Sequence, residues 1–169
     1  MKFISFVFVL IIVLTGFSAG MGFANIVGYM PGMKDTPPNH LISFWQHADH
    51  YFRARMPFFG NALLLSLVVA LFLIRKEWQS GAFLFIGLAL ITCISDLVVI
   101  LTMNLPLNVI VQTLDPESSL NIDFEPIRAR AMQAYYIRAV LNILSFGLVI
   151  TGVVLYLRSH VKWIDQSYN

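Results

Sequence analysis

Four apolar runs, residues 3–27, 58–74, 81–103 and 139–157, dominate this chain. A hydrocarbon core about 30 Å thick takes about 20 helical residues, and within it backbone N–H and C=O groups must bond inside their own segment. Runs of this length therefore fold as helices that cross a bilayer. Arg75, Lys76 and Glu77 separate the second run from the third so briefly that those two helices must be antiparallel neighbours. The expected fold is all-α, a transmembrane four-helix bundle forming one integral membrane domain over residues 1–169, with lipid as its surroundings. A bundle of this size encloses a small pocket between its helices rather than a wide pore.

Composition closes off other classes. With 58% hydrophobic and 12% charged residues the chain lies outside the range of soluble domains. A formal charge of +2, without a Lys and Arg cluster interleaved with aromatics, excludes a nucleic-acid partner. The lone Cys93 sits inside the third run, where it packs as a small hydrophobe. The chain carries no phosphate-binding glycine loop, dinucleotide fingerprint, nucleophile elbow or zinc-protease helix, which argues against nucleotide and hydrolase chemistry.

Met1 and Lys2, an apolar run, and then Ser18, Ala19 and Gly20 have the layout of a secretory signal. Apolar character continues through Phe23, Ile26, Val27 and Tyr29, so the expectation is an uncleaved helix. Gly16, Gly20, Ala24 and Gly28 recur every fourth residue, a small-residue stripe that serves either packing within the bundle or a homodimer seam. Lys2, Arg75, Lys76, Arg158 and Lys162 fall on one side of the bilayer, nearly balanced by the basic residues of the other. Taking several of the latter as site residues places both termini in the cytoplasm.

The first connection has its own pattern. After Pro37, Pro38 and an Asn39 cap, Leu41, Phe44, Trp45, Ala48, Tyr51, Phe52 and Met56 follow helical spacing, and Pro57 marks an end. This predicts a separate amphipathic helix over residues 40–56, with Gln46, His47, Asp49, His50 and Arg53 on its polar side, lying as a lid over one mouth of the bundle. His47 and His50, with His40 upstream, share the spacing of metal ligands. No matching Glu-x-x-His pair stands on another helix, so the expectation is no metal and a headgroup-facing histidine pair.

Polar groups inside apolar runs demand partners. Asp96 lies within the third run, and Asn104, Leu105, Pro106, Leu107 and Asn108 form a proline-centred polar knot at its end. If that helix leaves hydrocarbon near Met103, Asp96 lies about 12 Å below Asn104, near mid-bilayer. Arg138, at the entry to the fourth run, then matches Asn104 in depth, as does Asn61 on the second, while a direct Arg138–Asp96 pair requires a substantial offset between helices. Tyr135, Arg138, Asn142 and Ser145 recur on one helical face, which should look inward. Glu125 and Pro126 begin that helix outside the membrane, with Arg128 and Arg130 either solvated there or facing a ligand. The paired asparagines either cap a broken helix or present amides to a ligand, and Asp96 is either a structural acid or a proton-transfer group.

The Asn104 to Asn108 run, the polar connection after it and the Arg138-containing entry to the last helix resemble the anthrone-oxygenase-like family of small four-helix membrane proteins. Characterised members oxidise polycyclic anthrones to anthraquinones with dioxygen, without flavin, haem or metal. The resemblance implies Asn104, Asn108 and Arg138 as site residues, no cofactor, and a small apolar or aromatic substrate. In such a reaction Asp96, His47 or His50 would act as base, and Asn61, Tyr135, Asn142 and Arg53 would line the substrate. The competing expectation is a non-enzymatic membrane subunit that binds a partner protein.

Overall fold

The computed structural model describes residues 2–117 and 123–166, with side chains over 3–117 and 123–160. No strand occurs among the described residues. Four helices, Phe3–Asp35, Pro38–Leu73, Gly81–Gln112 and Glu125–His160, are long and apolar enough to cross a membrane, and the backbone of the fourth continues to Gln166. At 32 to 36 residues each, these helices are about 50 Å long, against a hydrocarbon core of about 30 Å. Their apolar runs all lie toward the Arg75–Glu77 end. The excess therefore gathers at the opposite end as a polar-sided extension of the bundle.

Two cores follow from this division. In the apolar part Ile11, Leu67, Ile74, Ile86, Val149 and their neighbours pack together. In the extension Met33, Leu41, Ile42, Trp45, Leu107, Val111, Phe124 and Ala131 form a second cluster.

The segment 40–56 is not a separate amphipathic helix. It is the first half of one unbroken helix, Pro38–Leu73, that runs through Pro57 into the second apolar run. Proline removes one N–H, and the carbonyl that loses its donor belongs to Arg53, an exposed residue where solvent can replace the bond. The face assignment also changes. Leu41, Ile42, Trp45 and Asp49 are buried while Phe44, Tyr51 and Phe52 point outward.

The third helix likewise does not stop at Met103 but continues to Gln112. Its continuity depends on a π turn over Ile100–Asn104, in which the Leu105 N–H bonds back to the Ile100 carbonyl immediately before Pro106. The first helix uses the same device: a π turn over Asn25–Tyr29, with the Met30 N–H on the Asn25 carbonyl, precedes Pro31. Proline clashes with the carbonyl four residues back, and widening the preceding turn by one residue moves that carbonyl aside without ending the helix.

The fourth helix packs most closely against the third and the first. A Cβ on Gly152 would stand 2.8 Å from Ile86 Cγ1 and 3.2 Å from the Ala82 carbonyl oxygen. One heptad on, Ser145 Oγ lies 3.1 Å from Cys93 Sγ and donates to the Ala89 carbonyl at 3.4 Å. Against the first helix, a Cβ on Gly22 would meet Ala139 Cα at 2.9 Å. On the small-residue stripe, Gly16 rests on Phe146, whereas Gly20 and Gly28 meet nothing within 4 Å. The close crossing is thus one face away from the stripe.

Arg128 is not a solvated charge. It is buried, and it donates through Nη1 to the Lys34 carbonyl at 2.7 Å and through Nη2 to the Thr36 carbonyl at 3.0 Å. One guanidinium thereby satisfies carbonyls that the end of the first helix leaves open.

Candidate functional site

The polar groups of the extension converge on Asp49. Its side chain is only 6% exposed, so its charge requires partners. Three donors reach it: Asn108 Nδ2 to Oδ1 at 2.6 Å, Arg53 Nη2 to Oδ2 at 2.7 Å, and Gln112 Nε2 to Oδ2 at 3.3 Å. Arg53 is one helical turn on from Asp49, the spacing at which an acid and a base meet on one helix. The amide of Asn108 is used at both ends, since its Oδ1 accepts from Trp45 Nε1 at 2.9 Å. Gln46 Nε2 completes the joint by donating to the carbonyls of Val111 at 2.9 Å and Leu114 at 2.8 Å, near the end of the third helix.

Beside this network lies a cavity of about 480 Å³ lined by Asp49, His50, Arg53, Ala54 and Gln112. It opens between the second and third helices. The His50 ring stands edge-on to Tyr51, with centroids 5.3 Å apart, and its nitrogens make no hydrogen bond among the described residues.

The π turn has a geometric consequence for this site. In a regular helix, eight residues carry Asn104 about 80° around the axis from Asp96; one widened turn reduces that to about 20°. Asp96, Asn104, Asn108 and Gln112 therefore form a polar stripe down one side of the third helix.

Arg138 occupies the deep end of that stripe. Its Nε donates to Asp96 Oδ1 at 2.9 Å, with side chains 26% and 14% exposed. The depth match expected between Arg138 and Asn104 is thus replaced by the direct pair. The register of the third and fourth helices is set by their seam, not by the ends of their apolar runs at Met103 and Ala139. Asn104 is buried, and its Oδ1 has no hydrogen-bond partner among the described residues. Between the two polar centres stands an aromatic layer, in which Tyr135 meets Tyr29 edge-on at 5.4 Å and Trp45 at 6.4 Å.

The remaining candidates are dispersed. His47 is exposed and its Nδ1 donates to the Ser43 carbonyl of its own helix at 2.7 Å, away from the cavity. Asn61 is exposed on the second helix and Asn142 half-buried on the fourth. No group of three or more His, Cys, Asp or Glu side chains close enough to share a metal occurs among the described residues. His50 and Arg53 thus share one cavity, Asn108 braces it from behind, and Arg138 and Asp96 engage each other elsewhere. Gln112 carried no expectation from the sequence, and Asp49, expected on the solvent-facing polar side of its helix, is buried at the centre of the network. Their signals were present: Asp49 falls on the spacing of Leu41, Ile42 and Trp45, and Gln112 lies four residues beyond Asn108.

No family model, curated protein or solved structure matches the chain.

Proposed function

We propose that this protein is a multi-pass membrane oxygenase that converts a small apolar aromatic substrate with dioxygen in the cavity beside Asp49. The observation that carries this reading is the shared 480 Å³ space holding an imidazole free of hydrogen bonds and a guanidinium fixed by a buried carboxylate. The reaction is oxidation of an activated methylene, in which one methylene and one dioxygen yield one ketone carbonyl and one water. His50 takes the first C–H proton, and the resulting carbanion delocalises onto the substrate's oxygen. Electron transfer to dioxygen and recombination give a hydroperoxide. Loss of the second C–H proton with cleavage of the O–O bond then forms the carbonyl and releases water. Arg53 stands beside the developing negative charge, and the donors around Asp49 hold Arg53 in place. This assigns the base to His50 instead of Asp96, which is engaged by Arg138.

The test is oxygen consumption and quinone absorbance with an anthrone, using protein in lipid nanodiscs. His50→Ala should lose at least about tenfold in turnover, and His47→Ala should keep it. Absence of anthrone oxidation, or equal rates for His50→Ala and the parent, refutes the proposal. A second reading, a non-enzymatic subunit, draws on the open faces at Gly20, Gly28 and Gly32, where nothing lies within 4 Å. A stoichiometric membrane partner on native purification, without turnover, would favour it.

A further inference from the structure

We infer that the cavity selects amphiphiles bearing a carboxylate, held by Arg53, with the apolar portion lying along the outer face of the second helix. This goes beyond the proposed oxygenase reading, whose substrate is apolar and aromatic: it names a second class of ligand for the same cavity, and it is tested by binding alone.

Hydrogen-bond donors outnumber acceptors around the cavity. The buried Asp49 carboxylate is already occupied: Asn108 holds Oδ1, while Arg53 and Gln112 hold Oδ2. Arg53 commits one nitrogen to this contact and is 57% exposed, so most of the five N–H donors of its guanidinium stay open toward the cavity. The His50 ring adds a further unbonded group. The space therefore offers more donors than acceptors, and a ligand that completes it must bring acceptor oxygens. A carboxylate accepts two parallel N–H bonds from a guanidinium fork, which a single carbonyl, ester or phenol oxygen cannot do.

The apolar part of the ligand has a matching path. Below Ala54 on the second helix, Phe58, Leu65 and Phe72 recur at seven-residue intervals and are 78%, 65% and 60% exposed. They lie on one side of the second helix, beginning one turn below Ala54 and running into its apolar half, with the exposed Asn61 beside them. The second helix is also the one packed most sparsely against the rest of the bundle. A long-chain acid already partitioned into the membrane reaches Arg53 by moving along this side, without passing through water.

The experiment measures binding of dodecanoate to the full chain in phosphatidylcholine nanodiscs, without oxygen, alongside methyl dodecanoate and dodecyl phosphate. Dodecanoate should bind at least about tenfold more tightly than its methyl ester. Arg53→Gln should abolish that preference, and Arg53→Lys should retain part of it. Ala54→Trp, which narrows the cavity and leaves its charged residues in the sequence, should weaken both ligands and covers the case in which Arg53→Gln fails to fold. Equal affinity for acid and ester, an undiminished preference in Arg53→Gln, or binding undisturbed by Ala54→Trp overturns the inference. Tighter binding of dodecyl phosphate than of dodecanoate overturns the choice of carboxylate. Because no turnover is measured, loss of anthrone oxidation with intact acid binding would remove the oxygenase reading and leave this one standing.

Discussion

Arg138 and Asp96 lie on the same antiparallel ladder as Ser145 with Ala89 and Gly152 with Ala82, each rung seven residues from the next on both helices. A seven-residue period keeps one face of a helix against its neighbour along a left-handed supercoil. The ion pair is therefore one rung of a packing register, anchored at its far end by a glycine that admits no side chain. This explains how an acid within the third apolar run meets a base at the entry to the fourth, where an unpaired charge is costly.

Removing one partner of that pair should be far worse than removing both. Asp96→Ala leaves Arg138 without its carboxylate and should lower stability by about 3 kcal/mol, whereas Asp96→Leu with Arg138→Leu should come within about 1 kcal/mol of the parent. Reversible unfolding in lipid bicelles measures both. Additive losses in the double variant would show that the pair is not coupled as described.

The glycines should separate by what surrounds them. Gly152→Val forces a side chain into Ile86 and the Ala82 carbonyl, and should cost about 1 to 3 kcal/mol. Gly20→Ala, which meets nothing within 4 Å, should stay within about 0.5 kcal/mol of the parent. Thermal melts of the two variants in one detergent decide the matter. A larger loss for Gly20→Ala would contradict the seam and point to an intermolecular contact at the stripe.

Asn108 bridges an indole and a carboxylate, so Asn108→Ala strands two buried polar groups at once. The expected loss is about 2 kcal/mol, with a shift in Trp45 emission. Replacing Trp78 and Trp163 by Phe isolates that signal. An unchanged spectrum would mean that Trp45 Nε1 is satisfied in another way.

Pro106→Ala restores the amide donor whose absence accompanies the widened turn. The turn can then revert to α-helical spacing, which rotates Asn108 and Gln112 away from Asp49 by about 100°. The expected result is the same Trp45 shift as in Asn108→Ala and, under the proposed oxygenase reading, loss of turnover. If the emission and the activity both match the parent, the π turn is held by packing rather than by the proline.

Much of the architecture was legible in the chain alone. Four runs of apolar residues demand helices because hydrocarbon offers backbone groups no other partner, and Arg75–Glu77 is too short a break to permit anything but a hairpin. Pro57, Pro106 and Pro31 were weaker signs. Proline disfavours a helix locally, but an orphaned carbonyl on an exposed residue such as Arg53, or one widened turn before Pro106 and before Pro31, lets the helix continue. That choice depends on surroundings which no local window contains. The polar residues show the same division. Tyr135, Arg138 and Ser145 could be assigned an inward face from their spacing, and Asp49 shared the period of buried Leu41 and Trp45. Which acid met which base was decided by helix register, and register was set by the side chain that Gly152 lacks: contact between two helices is a property of both sequences at once, so neither could reveal it alone.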